Sequence, residues 1–101
     1  KPAYAAFTAF SADATPPMAK INFGPLQGGT TSDPTPTFKF YSSEAGSTLR
    51  CRFDAKPLAP CSSPFTSTMA LASGPHVFSV EATDAAGNVS ALATRSFTVG
   101  P

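Results

Sequence analysis

The sequence contains no tryptophan, a single histidine, two cysteines and only 13% charged residues. Seven basic residues against six acidic ones give a net charge of +1, and the basic residues are scattered along the chain. Because a nucleic-acid-binding domain normally carries a clustered basic surface, we expect no nucleic-acid partner. The length of 101 residues fits one domain and leaves no room for two.

Long apolar runs are also missing. No stretch approaches the ~20 residues that a membrane-spanning helix needs, so we expect no membrane insertion. The chain begins Lys1-Pro2, without an initiator methionine or a visible secretory signal, which favours a processed protein or a fragment of a longer one. The low charge, together with 11 prolines and abundant Ala, Thr and Ser, is typical of an extracellular β-module.

Residues suited to catalysis are scarce. An enzyme needs a base, a nucleophile or a metal held together in one site. His76 is the only histidine, and it alternates in phase with Phe78 and Val80, which favours a partly buried structural histidine with a backbone partner. The sequence has no glycine-rich phosphate loop and no Gly-x-Ser-x-Gly elbow. We therefore expect no enzymatic activity, no catalytic residues and no cofactor.

Calcium binding and an isopeptide crosslink are two less favoured alternatives. Asp13, Asp84 and Asn88 carry oxygen atoms that calcium would accept at a domain junction, although a turn already explains Asp84. An isopeptide crosslink would join Lys20 or Lys39 to Asn88, but the alternation of its strand turns Lys39 toward water. One histidine and two cysteines without a matching spacing predict no zinc site.

The segment from residue 75 to residue 99 predicts a β-hairpin. Its first strand alternates apolar residues with polar ones, so that one face is buried and the other meets water. The predicted buried set is Phe78, Val80 and Ala82, and the predicted exposed set is Ser79, Glu81 and Thr83. The returning strand alternates in the same way, through Phe97 and Val99.

The turn of this hairpin is assigned to Asp84, Gly87 and Asn88. Asp84 can bond the turn backbone, residues 85–86 fit a type I turn, and Gly87 supplies the positive φ that closes such a loop. We expect these residues to have structural roles only.

Turn signals divide the chain into about seven short strands, and no segment has convincing helical periodicity. This pattern predicts an all-β fold, an antiparallel two-sheet sandwich. Residues 27–37 are rich in Gly, Thr, Pro and Ser and predict a loop. Met69 and Leu71 are expected to be an inward pair. The predicted core consists of Phe38, Phe40, Leu49, Phe53, Phe78, Val80, Phe97 and Val99.

The two cysteines, Cys51 and Cys61, have nine residues between them. This spacing is neither a Cys-x-x-Cys redox motif nor half of a zinc cluster. It favours one short disulfide that links the two strands of a hairpin, or a strand to its following loop. In the loop-entropy model such a disulfide adds roughly 2.5–3 kcal/mol to the free energy of unfolding. Such a bond places the protein in an oxidising compartment. Two buried free thiols are the alternative.

The N-terminal segment, residues 1–17, is interpreted as a linker or an extra strand, and residues 18–101 as the sandwich domain. Residues 13–17, Asp13-Ala14-Thr15-Pro16-Pro17, force an extended exit that is hostile to helix. Residues 7–10 are slightly similar to residues 97–100, which suggests that residues 3–10 are the last strand of a preceding similar domain or a spare strand that pairs on this one. An Ala-rich linker without a partner is an equal alternative.

Seven short motifs occur in a fixed order along the chain. They are Asp13-Ala14-Thr15-Pro16-Pro17, Gly24-Pro25, Phe38-Lys39-Phe40, Cys51-Arg52-Phe53-Asp54, Cys61-Ser62-Ser63-Pro64, Gly74-Pro75-His76-Val77-Phe78 and Ala82-Thr83-Asp84-Ala85-Ala86-Gly87-Asn88. The ordered set resembles the bacterial immunoglobulin-like repeats of long secreted and cell-surface proteins over residues 13–100. The final hairpin is also similar to hyalin-type repeats.

The resemblance implies that residues 18–101 are an immunoglobulin-like domain, a sandwich of the immunoglobulin-like or fibronectin-III-like kind. It implies a non-catalytic extracellular module that spaces, stiffens or presents other domains and in some proteins contributes to adhesion. The implied partners are neighbouring domains of the same chain and, for adhesion, a host or cell-surface protein or glycan. The resemblance also implies that Cys51 pairs with Cys61. Ala55 departs from the family, whose repeats often carry Gly or Asn after the Asp, and the residues before position 13 are not accounted for.

A carbohydrate-binding accessory module of a secreted enzyme is the alternative function. Such sandwiches usually present an exposed aromatic platform to sugar rings, whereas most aromatic residues here are in phase with the core. Tyr4 and Tyr41 are the surface candidates, since Tyr41 falls on the face opposite Phe38 and Phe40. Packing at the edge of the core is the other explanation for both tyrosines.

Overall fold

The computed structural model describes residues 15–101, and within this range the chain forms β-strands and no helix. The strands are β1 (Ala19–Phe23), β2 (Gly29–Thr31), β3 (Thr37–Ser42), β4 (Thr48–Phe53), β5 (Ala59–Cys61), β6 (Phe65–Thr66), β7 (Gly74–Thr83) and β8 (Ala93–Val99). They form a three-stranded sheet in the order β1-β3-β6 and a five-stranded sheet in the order β2-β8-β7-β4-β5. The predicted all-β architecture with two sheets is confirmed. Most of the predicted N-terminal linker or extra strand lies outside the described residues.

The core lies between the two sheets and is built mainly from phenylalanine. Phe38 on β3 is fully buried and stacks on Phe78 of β7, with ring centroids 4.2 Å apart and ring planes 6° apart. Alternation along each strand explains this packing, because side chains two residues apart share a face. All of the predicted core residues are buried or, in the case of Leu49, partly buried against the core, so this prediction is confirmed.

β2 makes the five-stranded sheet mixed, which corrects the expectation that all strands pair antiparallel. Residues 29–31 pair in parallel with residues 97–99 of β8, in a segment that the sequence predicts to be loop. Backbone hydrogen bonds hold the two strands together. Directly before the paired residues, the Gly28 N–H donates to Ser96 O at 2.6 Å. A three-residue edge strand of Gly and Thr carries no apolar alternation, so the sequence contains no periodic signal for it.

The outward face of β7 is buried, which corrects the expectation that Ser79 and Glu81 meet water. Ser79 is 2% exposed and Glu81 is 8% exposed. β7 lies between β8 and β4 in the five-stranded sheet, so side chains on both neighbouring strands cover it. Glu81 forms an ion pair with Arg50, its cross-strand neighbour on β4, and this pairing offsets the cost of burying the carboxylate.

The segment after β6 is irregular, and the predicted inward pair is wrong for Met69. Met69 is 68% exposed, whereas Leu71 is partly buried against the core. The Ser67 N–H donates to Pro36 O at 3.1 Å, and the Leu71 N–H donates to Pro34 O at 2.8 Å. These bonds attach the segment to the β2–β3 connection without forming a strand, so the alternation that would pair Met69 with Leu71 does not apply.

Arg95 on β8 fixes the connection that passes from β1 in one sheet to β2 in the other. Its guanidinium donates to Ile21 O at 3.0 Å and to Gly24 O and Pro25 O at 3.2 Å each. The rigid fork of five donors on an arginine suits several carbonyl groups at once. The connection between the sheets is therefore held by polar contacts.

Candidate functional site

The β7–β8 connection contains the predicted turn residues. Gly87 has φ +92°, and its N–H donates to Asp84 O at 3.0 Å. Asp84 Oδ1 accepts the N–H groups of Ala86 at 3.0 Å and Asn88 at 2.8 Å, and Oδ2 accepts the Asn88 side-chain amide at 3.1 Å. The hydrogen bond from the Asn88 side chain, followed by the hydrogen bonds from backbone N–H groups, holds the pKa of Asp84 below its ordinary value. The carboxylate therefore closes the turn.

Ser90 continues this connection and is a structural residue that the sequence does not reveal. Its hydroxyl accepts the Ala82 N–H at 2.9 Å and donates to Ala91 O at 2.8 Å, while its own N–H donates to Ala82 O at 2.8 Å. Ser90 is 7% exposed. A buried hydroxyl with two partners supplies the Ala82 N–H and the Ala91 carbonyl with hydrogen bonds where the chain leaves the ladder after Val89.

The structure gives no support to the alternatives of calcium and an isopeptide crosslink within the described residues. Asp13 lies outside the described residues, and Asp84 bonds within its own turn. Lys39 and Lys20 are on the outer face of the three-stranded sheet, whereas Asn88 is in a connection of the five-stranded sheet. Among residues 15–101, no group of three or more His, Cys, Asp or Glu side chains is arranged to hold a metal ion.

A disulfide joins Cys51 on β4 to Cys61 on β5, with their Cα atoms 6.0 Å apart. The two strands are antiparallel neighbours, with Cys51 opposite Ala59 and Leu49 opposite Cys61. The bond therefore ties the edge strand of the five-stranded sheet to the strand beside it. Cys51 is also part of the core, at 3% exposure, so the link is anchored in packed side chains.

His76 lies between two hydrogen-bond acceptors. Nε2 is 2.7 Å from Ala72 O, and Nδ1 is 2.8 Å from Asp54 Oδ2. A carbonyl and an ionised carboxylate can only accept, so both ring nitrogens donate and the imidazole is positively charged in this arrangement. The side chain of His76 is 12% exposed. The predicted partly buried histidine with a backbone partner is confirmed, and Asp54 is a second partner that the sequence does not show.

Asp54 directly follows β4 and has an unusual backbone conformation, with φ +59°. Its N–H donates to Val77 O at 2.7 Å, and its Oδ1 accepts the Val77 N–H at 2.9 Å. These two bonds hold the carboxylate beside His76, the preceding residue of β7. The strained conformation is thus supported by bonds from a neighbouring strand.

The His76–Asp54 contact shifts the pKa values of both groups. The bond to the Ala72 carbonyl, followed by the bond to Asp54, raises the pKa of His76 above 6.5 against the effect of burial. Burial raises the pKa of Asp54, but the bonds from His76 and Val77 outweigh it, so the net pKa lies below 3.8. Because both of its ring nitrogens donate hydrogen bonds, His76 offers no lone pair to a substrate. The hydrogen bonds of His76 and Asp54 link the end of β4, β7 and the connection before β7.

The outer face of the three-stranded sheet carries the exposed aromatic residue Tyr41, which is 48% exposed. Lys20 on β1 is its cross-strand neighbour. On the same face the Lys39 ammonium lies 5.0 Å from the centre of the Phe23 ring, and Phe23 is 53% exposed. The other surface candidate, Tyr4, lies outside the described residues.

An open cleft of about 630 Å³ adjoins this face where β1 ends. Its lining includes Asn22, Phe23, Leu26, Asp33 and Arg95. Arg95 uses its guanidinium on three backbone carbonyls, and Asp33 Oδ1 accepts the Thr35 N–H at 2.9 Å. The charged groups of the cleft are therefore engaged in fixing the chain.

Apart from Ser90, the structural residues missed by the sequence prediction are polar groups whose partners are distant in sequence. The Arg50–Glu81 pair could have been found, because both residues face outward on strands that a sandwich can place side by side. Arg95 and Asp54 bond mainly to backbone atoms, and the identity of such partners leaves no trace in the side-chain pattern.

The chain matches no protein-family model, and no curated protein is significantly similar to it. Within residues 15–101, no helix has the length and apolar character needed to cross a membrane.

Proposed function

We propose that this chain is an immunoglobulin-like module that serves as a structural spacer in a larger extracellular protein and carries tension between its neighbours. The strand orders β1-β3-β6 and β8-β7-β4 correspond to the orders in the two sheets of immunoglobulin domains, with a hairpin at the centre of the larger sheet. The resemblance of its ordered motifs to bacterial immunoglobulin-like repeats supports the same assignment and a bacterial secreted or cell-surface protein as the parent.

The observation that carries the proposal is the parallel pairing of β2 with β8. The chain reaches β2 from its N-terminal side and leaves β8 on its C-terminal side. Tension between the two ends therefore pulls these parallel neighbours in opposite directions along their length. In that geometry the hydrogen bonds between them are loaded together, whereas strands that are peeled apart lose their bonds one at a time.

Two bonds mark the ends of this contact. The Gly28 N–H donates to Ser96 O at 2.6 Å before the paired residues, and the Gly100 N–H donates to Thr31 O at 2.7 Å after them. In addition, Gln27 Oε1 accepts the Ser96 N–H at 2.9 Å. The short β2 strand is thus fastened at both ends, as a force-bearing contact requires.

The Cys51–Cys61 disulfide supports both the extracellular location and the mechanical role. Disulfides persist in oxidising compartments and are rare in the cytosol. Under tension, the residues between the two cysteines are shielded from extension by the covalent bond. The module therefore lengthens less when it unfolds than a chain without the bond.

The proposal is tested by single-molecule force spectroscopy on the chain held at its two ends between marker domains. Gly100→Pro removes the N–H that bonds to Thr31 O, and we expect it to lower the unfolding force. Gly100→Ala keeps this N–H, and a Cβ at this position meets its nearest atom, Thr31 O, at 3.6 Å. This control is expected to unfold at the force of the unmodified chain. Equal forces for all three chains would contradict the proposal.

A further inference from the structure

The outer face of the three-stranded sheet is shaped by a β-bulge. β1 pairs with β3 in regular register from Ala19 to Ile21, and the register then shifts so that Phe23 lies opposite Lys39. Regular alternation would place Phe23 on the same face as Ile21, which packs against the core. The extra residue turns Phe23 to the outer face instead, where it is 53% exposed. Bulges commonly re-aim a side chain in this way.

This face carries two neighbouring pairs, each made of an aromatic ring and a lysine. Lys39 holds its ammonium 5.0 Å from the centre of the Phe23 ring, which restricts the long lysine side chain. Lys20 lies opposite Tyr41 in the register of β1 and β3. Since Lys39 and Tyr41 are two residues apart on β3, the two pairs are about 7 Å apart along the strand.

The charge of this face has one sign. None of the residues of β1, β3 and β6 is Asp or Glu, so neither lysine has an acidic partner within the sheet. Both ion pairs among the described residues, Arg50–Glu81 and His76–Asp54, belong to residues outside these three strands. Next to Lys39, the Thr37 and Thr66 hydroxyls bond to each other at 2.7 Å.

We propose that this face binds an acidic polysaccharide, a chain of sugar rings that carry carboxylates. The flat apolar faces of sugar rings stack on an exposed aromatic ring, and Tyr41 offers such a ring at the open surface. Phe23 positions the Lys39 ammonium, and both lysines pair with carboxylates of the bound chain. The proposal goes beyond the spacer role and does not depend on it.

The test is electrophoresis of the 101-residue chain through gels that contain polygalacturonic acid, dextran or polyglutamate. We expect retardation by polygalacturonic acid alone. Tyr41→Ala is expected to weaken binding by about tenfold, and Tyr41→Phe, which keeps the ring, by less than about twofold. Lys39→Gln and Lys20→Gln are each expected to weaken binding by about threefold to tenfold.

Two exposed residues on other parts of the surface supply matched controls. Lys56→Gln makes the same change of charge, and Met69→Ala removes an apolar side chain that is 68% exposed. Both are expected to bind like the unmodified chain, and the melting temperature of each variant verifies its fold. If Tyr41→Ala does not fold, the comparison of Lys20→Gln and Lys39→Gln with Lys56→Gln decides.

Three results would overturn the proposal. Equal retardation by polyglutamate would show attraction to any polyanion, and retardation by dextran would show a neutral-sugar site. An equal loss of binding in Lys56→Gln and Lys39→Gln would show that net charge, and not this face, is responsible.

Discussion

The contact between His76 and Asp54 is expected to make the stability of the domain depend on pH. Because folding raises the pKa of His76 above 6.5, its contribution is fully present below that value and is lost as the pH rises through the folded-state pKa. Because folding lowers the pKa of Asp54 below 3.8, its contribution is present above that value and is lost as the pH falls through the folded-state pKa. The contact therefore stabilises the fold most between about pH 4 and pH 6.5.

The magnitude follows from the hydrogen bonds of His76. At about pH 5.5, His76→Gln replaces two charged hydrogen bonds, so we expect the free energy of unfolding to fall by about 2 kcal/mol. This value is low for two such bonds because 42% of the Asp54 side chain is exposed and water screens the charge. Once the pH has risen through the folded-state pKa of His76, one ring nitrogen has lost its proton and faces an acceptor, and the difference shrinks to about 1 kcal/mol.

Urea denaturation followed by far-ultraviolet circular dichroism measures this effect across the pH range. The set comprises the unmodified chain, His76→Gln, Asp54→Asn and the double variant. Asp33→Asn is the matched control, since Asp33 also bonds the backbone of a turn, at Thr35, but has no histidine partner. From pH 5.5 to pH 8.5, its free energy of unfolding should change with pH as much as that of the unmodified chain. If the free energy of unfolding of His76→Gln changes with pH by the same amount as well, the reasoning is refuted.

Three further sets of substitutions test the packing, the backbone and the crosslink. Phe38→Ala removes a fully buried ring and should cost about 3–5 kcal/mol in urea denaturation, and a loss under about 1 kcal/mol would contradict the packing described here. Gly24→Ala places a Cβ 2.5 Å from Phe38 Cδ2 at φ +126°, whereas Gly28→Ala at φ +76° meets nothing within 4 Å. We expect the free energy of unfolding to fall by about 2–4 kcal/mol for Gly24→Ala and by about 1–2 kcal/mol for Gly28→Ala. Equal thermal stabilities of the two variants would refute the close approach of residue 24 to the Phe38 ring. Replacing Cys51 and Cys61 together with Ala should cost about 2.5–3 kcal/mol and lengthen the stretched chain by about 30 Å, and an unchanged length would exclude the crosslink.

Local patterns in the sequence predicted the parts of the fold that depend on local geometry. Phe38 and Phe40, or Phe78 and Val80, are two residues apart, and the pleat of a strand sends both members of such a pair to the same side. The predicted core follows directly from this alternation. The spacing of the cysteines likewise limits the crosslink to neighbouring segments.

The features that the sequence did not predict depend on contacts between distant segments. Glu81 is polar and alternates outward, yet it is buried on an inner strand of the five-stranded sheet, where Arg50 of β4 pairs with it. Residues 29–31 form a strand only because β8 offers free backbone groups beside them. Phe23 faces outward because of a bulge, whose single extra residue leaves the composition of the strand unchanged.

The candidate surface was predictable only in part. The alternation of β3 placed Tyr41 opposite the core, and the structure exposes this ring. The cross-strand register that sets Lys20 beside Tyr41, and Phe23 beside Lys39, depends on how β1 pairs with β3. The alternation of β1 fixes which of its faces is inward, but a shift of two residues keeps that face and gives Lys20 a different neighbour, and the five residues alone do not exclude this shift.

The unfolding force in two pulling directions tests the central claim most directly. Load applied between Pro25 and Pro101 shears β2 against β8, whereas load applied between Gly74 and Pro101 peels β7 from β8 at the open end of the hairpin. The account predicts a severalfold higher force in the first direction than in the second. Equal forces, or a lower force in the first direction, would contradict a module built to bear tension.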